Sequence, residues 1–447
     1  MEFREEGGEP VSPTGQYFNS SILSVAILAV LEFEVPINDS QALSLLQDVF
    51  LPINPRFSSI MVRDNPDQKK QWKRVEVKLE DHVHVPIFPS KMSPESYDEY
   101  FDDYISNIAA EKLPQNRPLW EIHILKYPTS HAASTLIFKL HHALGDGYSL
   151  MGALLSCLQT AQNPSVPLTF PSLKSSSGPK ITHMTKTVSQ FFSSVIQTVS
   201  DFSWSILKSS FVEDDRTPIR SGEDGVEFRP ITLSTLTFSI DEIKLIKNKL
   251  GVVRLCANFY LFIIMISKKS LNYRLSLTKQ QKVENFNSIK LSKYKLKNSS
   301  LFISICFRLM RMNDLGIFFK SRCLLLNFRI FFLKKKNFRV FYKVLCLQGA
   351  ARYIHGTLKN SSMTISNMIG PVEKMALDNQ PVGGLYFMVV GPPQCLTVTA
   401  LSYMGKLRVA FGAEKGFIDS QKLKASMQNA FRVILEASNP IPPAKAA

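Results

Sequence analysis

Between residues 134 and 162 an apolar run, a seven-residue turn and a helical stripe follow one another without a break, and no other stretch constrains the fold as much. Residues 134–140 run apolar or alternate, as a strand does. His141-His142-Ala143-Leu144-Gly145-Asp146-Gly147 supplies the turn, and residues 148–162 set Leu150, Leu154, Leu155 and Leu158 on one side of a helix. A strand end feeding a Gly-containing turn can hold a polar group rigidly and still expose it.

The same alternation recurs along the chain. Residues 22–31 form a short apolar run continued by Glu32-Phe33-Glu34-Val35, which is a buried strand and too short for a membrane span. Asp39 or Ser40 can cap a helix through Leu43, Leu45, Leu46 and Val49 that Pro52 and Pro55 end. Strands are expected at 72–77, 83–85 and 119–125. Ser93-Pro94-Glu95 opens a helix over 97–113, which Asn116-Arg117-Pro118 breaks. Later come a strand at 231–238, a helix at 241–250, strands at 362–368, 384–390, 396–404 and 407–411, and a closing helix at 419–437. No internal repeat is evident. The expected class is mixed α/β with β-rich halves, and 447 residues suit two domains.

With 45% hydrophobic residues and 31 Phe the chain can fill sizeable cores, which excludes global disorder. Its six cysteines contain no C-x-x-C pair, arguing against a disulfide scaffold or structural zinc and for a reducing compartment. The net charge of +16 is localised: residues 251–350 hold 20 Lys and Arg against Glu284 and Asp314, while the rest of the chain has 33 basic and 35 acidic groups. That block also has 12 of the Phe, four of the cysteines and no proline. Residues this rich in Phe, Leu, Ile, Lys, Asn and Ser are what A- and T-rich codons encode, so 253–347 reads as translated intron, or else as a lysine-rich amphipathic insertion on membranes. Nucleic-acid binding is excluded because no recognition module accompanies the lysines and the remainder is slightly acidic.

Glu2, Glu5, Glu6 and Glu9 occupy the place where a signal peptide needs a basic n-region, so none is expected. Neither 255–266 nor 323–333 reaches the roughly 20 apolar residues of a spanning helix. Residues 164–179 read as a Pro/Ser/Gly linker and 213–227 as a charged loop. Between them, 185–212 carries Phe191, Phe192, Val195, Ile196, Val199, Phe202, Ile206 and Leu207 at helical spacing, an amphipathic helix facing either a lipid interface or another part of the protein.

The turn at 141–147 carries the candidate chemistry. An imidazole titrates near neutrality, so His142 can take a proton from a hydroxyl, and Asp146 can orient the loop or cap the helix that starts beside it. Adjacent histidines are equally compatible with a structural role. Metal binding by His141, His142 and Asp146 lacks a third-ligand cluster, so no metal is expected. No G-x-S-x-G elbow and no Gly-rich phosphate loop is present.

These residues carry a resemblance. The chain resembles a plant member of the wax ester synthase/diacylglycerol acyltransferase family, within the CoA-dependent acyltransferases that share H-H-x-x-x-D-G. It rests on Glu9-Pro10-Val11-Ser12-Pro13-Thr14-Gly15-Gln16, Pro118-Leu119-Trp120-Glu121 and His141 to Gly147, then on Ala350-Ala351-Arg352, Ser366-Asn367-Met368-Ile369-Gly370-Pro371 and the β-rich tail. The D-F-G-W-G element of acyltransferases acting on phenolics is absent, which favours the lipid branch.

The resemblance implies two domains, each a β-sheet flanked by helices, with the active site at the inter-domain channel. Residues 1–163 would form the first domain, 164–230 a crossover, and 231–252 with 348–447 the second. His142 would be the general base, moving an acyl group from acyl-CoA to a long-chain alcohol or diacylglycerol without a covalent acyl-enzyme. His141 would assist, Asp146 would orient the loop and Gly147 would permit the turn. Ser366 and Asn367 would lie near the channel as a substrate contact or a backbone turn, and Trp120 would be a core anchor or line the acyl tunnel. No cofactor is implied beyond acyl-CoA as co-substrate. The implied location is the endoplasmic reticulum membrane, with the plasma membrane as alternative, and a membrane lipid surface as partner. One departure stands against this: after Lys249-Leu250-Gly251-Val252 the family's Asn-Asp motif, Asn/Thr-Arg strand and Trp-Gly-Asn element are missing. The alternative is therefore an inactive or misfolded relative that only binds lipid or membrane.

Overall fold

The computed structural model describes residues 9–63, 70–162, 168, 213–214, 216–250 and 347–438. In chain order its elements are β1 Glu9–Pro10, α1 Pro13–Phe18, β2 Ala26–Phe33, α2 Asp39–Leu45, β3 Ser59–Val62, β4 Gln71–Arg74, β5 Val83–His84, α3 Pro94–Ala110, β6 Trp120–Leu125, β7 Ser134–His141, α4 Gly147–Ser156 and β8 Gln159–Thr160. There follow β9 Ile231–Ser239, α5 Ile240–Leu250, α6 Leu347–Lys359, β10 Thr364–Ile369, β11 Met375–Leu377, β12 Gln380–Val390, β13 Leu396–Tyr403, β14 Lys406–Glu414 and α7 Ser420–Ser438. The expected linker 164–179 (but for Leu168), the amphipathic stretch 185–212 and the basic block up to residue 346 lie outside the described residues.

The main sheet has seven strands in the order β5-β6-β7-β2-β12-β11-β8. Strands β2, β6 and β7 are buried along their whole length, which suits the apolar run of β2, while the buried Glu121 of β6 and Lys139 of β7 are paired at 3.5 Å. On one face Ile27, Leu31, Trp120, Phe138 and Leu140 pack with Leu150 and Leu154 of α4. On the other, Leu28, Val30, Ile137 and Met388 meet Ile105 and Ile108 of α3 together with Leu233 and Ala410 of a second sheet. That second sheet runs β10-β13-β14-β9. Its far face packs Val398, Val409 and Phe411 against Ile243 and Ile246 of α5 and Leu423 and Met427 of α7.

The two sheets are tied in two ways. Strand β12 pairs antiparallel with β2, Tyr386 opposite Val30, so the later part of the chain contributes to the main sheet before β13 and β14 return to the second. An ion pair then joins Glu32 of β2 to Arg408 of β14 at 2.7 Å. Burial pushes the Glu32 carboxyl above the usual carboxylate range even with the guanidinium beside it. Gly384 of β12 leaves room for that carboxylate, which a Cβ there would strike.

Several local expectations are corrected. Asn38, not Asp39 or Ser40, caps α2, its Oδ1 accepting the Ser40 N–H at 3.1 Å. The helix then continues as a π-helical turn over Leu46–Phe50 and a last turn Leu51–Ile53, ending at the extended Asn54 just before Pro55, as expected. The helix expected to 162 stops at Ser156, since Gln159 and Thr160 leave it to pair with Ala376 and Met375. The charged stretch 213–227 is partly buried: Asp214 accepts from Ser362 N–H and Oγ at 2.8 and 2.7 Å, and Arg220 pairs with Glu213. The second sheet assembles from segments on both sides of the basic block, which does not support the alternative of a misfolded relative.

Candidate active site

The turn at 141–147 sits where β7 leaves the main sheet. The ladder holds it to the last residue, with His141 opposite Ala26 and His142 N–H donating to the Val25 carbonyl at 2.9 Å. At its other end Asp146 caps α4, its Oδ1 accepting from Ser149 N–H at 2.8 Å and Ser149 Oγ–H at 2.7 Å. A rigid strand and a capped helix thus fix both ends of five residues.

The two histidines are held differently. His141 is buried, and both ring nitrogens are engaged: Nδ1 accepts the Ala143 N–H at 3.1 Å, and Nε2 lies 3.2 Å from Ser24 Oγ. Because a backbone N–H can only donate, neutral His141 carries its proton on Nε2 and donates it to Ser24. Burial, aided by His142 and Lys70, pushes its pKa down to about 3.

His142 is partly exposed. Its Nδ1 is enclosed with no hydrogen-bond partner among the described residues. Burial lowers its pKa from the usual histidine value, while its own carbonyl and Asp146 act in the opposite direction. At neutral pH this imidazole is therefore neutral, as a proton acceptor must be. The Phe18 ring lies beside it, centroids 4.7 Å apart.

Residues that carry no motif of their own brace this loop. Arg56 donates to the Leu144 carbonyl at 3.2 Å and pairs with Glu9 at 2.6 Å. A Cβ on Gly15 would stand 3.2 Å from the Ala143 carbonyl, so α1 lies directly on the turn. Sequence reasoning had only the resemblance of residues 9–16 to signal this, and nothing local pointed to Ser24, Arg56 or Phe18.

The second sheet approaches the start of α4. The position of a Cβ on Gly147 is 3.6 Å from Met368 Sδ of β10, and Gly147 does not adopt a positive φ, so the turn does not require glycine for backbone reasons. Alternation along β10 separates the two polar candidates: Ser366 shares a face with Met368, toward the loop, while Asn367 shares one with Ile365, which packs into the core behind the sheet. Trp120 is brought to neither. It is fully buried, donates from Nε1 to the Phe57 carbonyl at 2.8 Å and stacks on His82 at 4.2 Å, the setting of a core anchor. A cleft of about 600 Å³ lined by Ser44, Asp48, Ser156 and Gln159 lies at the opposite end of α4. Among the described residues no group of three His, Cys, Asp or Glu could hold a metal.

Two packed sheets with an H-H-x-x-x-D-G turn where they face one another define the CoA-dependent acyltransferase class. Residues 41–213 match the wax ester synthase/diacylglycerol acyltransferase catalytic domain, and residues 332–435, reaching back into the basic block, match the WS/DGAT C-terminal domain. Wax ester synthase/diacylglycerol acyltransferase 4 of Arabidopsis thaliana is 26% identical over 97% of this chain and 91% of its own length; number 11 of the same plant is 27% identical over 96% and 95%. Among solved structures, the wax ester synthase/diacylglycerol acyltransferase from Marinobacter aquaeolei VT8 covers 96% of this chain and 99% of its own at 14% identity, with a TM-score of 0.56. The chain belongs to the wax ester synthase/diacylglycerol acyltransferase family.

Proposed function

We propose that this protein is an acyl-CoA-dependent O-acyltransferase, that its acceptors are long-chain alcohols and diacylglycerol, and that His142 is its general base. The observation that carries the assignment of the base is the neutral, partly exposed His142 imidazole on a loop fixed at both ends, while the neighbouring His141 has both nitrogens committed. The family relation supports the reaction, and the names of the relatives support both acceptor classes.

The steps follow from these groups. His142 takes the acceptor hydroxyl proton as the oxygen attacks the thioester carbonyl. The C–S bond breaks as the tetrahedral adduct collapses, and the CoA thiolate takes the proton back from His142. No covalent acyl-enzyme is needed, and general-base catalysis contributes about 10²–10⁴-fold. Asp146 keeps the loop in register by capping α4. Ser366 and Met368, on the facing strand, belong to the opposite wall of the passage. Acyl-CoA is the co-substrate and no further cofactor is called for.

Because both acceptors are water-insoluble, we place the enzyme at a membrane lipid surface, the endoplasmic reticulum first and the plasma membrane as alternative. No helix among the described residues is long and apolar enough to cross a membrane. The test is product analysis: purified protein given palmitoyl-CoA with hexadecanol, or with a diacylglycerol, forms one ester per CoA thiol released. No ester from either acceptor overturns the assignment.

A further inference from the structure

The stretch 9–18 has no role in the steps above, yet it ends in a residue that touches the base. Ser12 caps α1, its Oγ accepting the Gly15 N–H at 3.1 Å, and Pro13 opens the helix. Gly15 lets that helix rest on the Ala143 carbonyl. Phe18 is its last residue, and its backbone is locked to the site: the Phe18 carbonyl accepts the Val25 N–H at 3.2 Å, and the Val25 carbonyl accepts the His142 N–H at 2.9 Å. The ring is consequently set against the imidazole, 4.7 Å between centroids with planes inclined by 42°, while remaining only partly buried. This ring borders the group that must receive a proton.

We propose that Phe18 is a specificity-determining residue that favours an apolar alcohol over water at His142. This rests on the assignment of His142 as base. The competing reaction is the same chemistry with water: its oxygen attacks the thioester carbonyl, the C–S bond breaks, His142 carries the proton from water to the departing thiolate, and free fatty acid and CoA thiol result. A hydrophobic ring beside the base offers water no hydrogen bond and gives an alkyl chain a contact surface. Removing the ring admits water and forfeits that contact, so the partition between the two acceptors shifts.

The experiment follows both products. Wild-type protein, Phe18→Ala, Phe18→Val and Phe18→Leu are supplied with palmitoyl-CoA and hexadecanol, and total CoA thiol and wax ester are measured in the same reaction. The expected result is that thiol released per ester formed rises at least about tenfold in Phe18→Ala, rises less in Phe18→Val, and stays near wild type in Phe18→Leu, which restores most of the apolar volume. Because a ratio is read, partial loss of folded protein does not change it, and Phe18→Val stands in should Phe18→Ala fail to fold. Thiol and ester falling together at constant ratio in both truncations overturns the proposal and leaves the acyltransferase assignment intact. A wild-type protein that makes no ester overturns the assignment, and the proposal with it.

Discussion

Asp146 separates a structural from an electrostatic contribution within one side chain. Its carboxylate accepts two hydrogen bonds from Ser149, at 2.8 and 2.7 Å, which hold the first turn of α4 to the loop carrying His142. Losing an N-cap costs about 1 kcal/mol, with a range of roughly 0.5–2. The carboxylate is exposed, so the second bond adds at the low end of about 0.5–1.5 kcal/mol. Asp146→Ala therefore destabilises by about 1.5–2 kcal/mol, a fall in melting temperature of about 3–8 °C for a domain of some 200 residues. Asp146→Asn keeps an equivalent cap and costs a few tenths of a kcal/mol. The charge acts separately: Asp146 favours the protonated form of His142, opposing the burial that lowers its pKa. Removing it lowers that pKa further, so in Asp146→Asn the acid limb of the kcat/KM profile for ester formation moves to lower pH. Thermal unfolding and a pH series on the three proteins read both effects. Equal destabilisation by Ala and Asn, or an acid limb displaced upward, would refute the reasoning.

Trp120→Ala removes a fully buried indole and leaves the Phe57 carbonyl without its donor, so stability falls by about 3–5 kcal/mol; a variant equally stable in denaturant titration would return Trp120 to the substrate tunnel. Gly147→Ala meets only Met368 Sδ at 3.6 Å, so the protein keeps its melting temperature within about 1 °C, and KM for acyl-CoA or acceptor rises as the passage narrows; unfolding of the variant would show that the turn needs glycine after all. Ser24→Ala leaves His141 Nε2 buried without its acceptor, which costs about 1–3 kcal/mol by thermal or denaturant unfolding, and an unchanged stability would mean the contact is dispensable.

Much of the fold was legible because burial leaves periodic marks. Strands β6, β7, β9 and β12 to β14, and helices α3, α5 and α7, all carry enough apolar residues in the right period to appear in the sequence, and Ser93-Pro94 announced α3 outright. Short elements escaped: β1, β8 and β11 have two or three residues, and their pairing is set by distant partners that no local pattern names. The crossing of β12 into the main sheet was invisible for the same reason, since an apolar strand does not state which sheet it joins. At the site, the turn was legible as a motif and the resemblance already ranked His142 above His141, but the physical reason for that difference was not legible. That depends on Ser24, the Ala143 N–H and Phe18, whose proximity exists only in three dimensions. Ser366 and Asn367 show the reverse: adjacent in sequence, they are parted by the two-residue period of the strand.

The central claim is that His142 is the proton acceptor, and His142→Gln tests it most directly. With palmitoyl-CoA and hexadecanol, and with folding verified by an unchanged melting temperature, ester formation by the variant falls about 10²–10⁴-fold at pH 7.5 while KM for acyl-CoA changes little. A folded His142→Gln protein forming ester within about twofold of the wild-type rate would contradict the account, because a group contributing general-base catalysis cannot be removed at so small a cost.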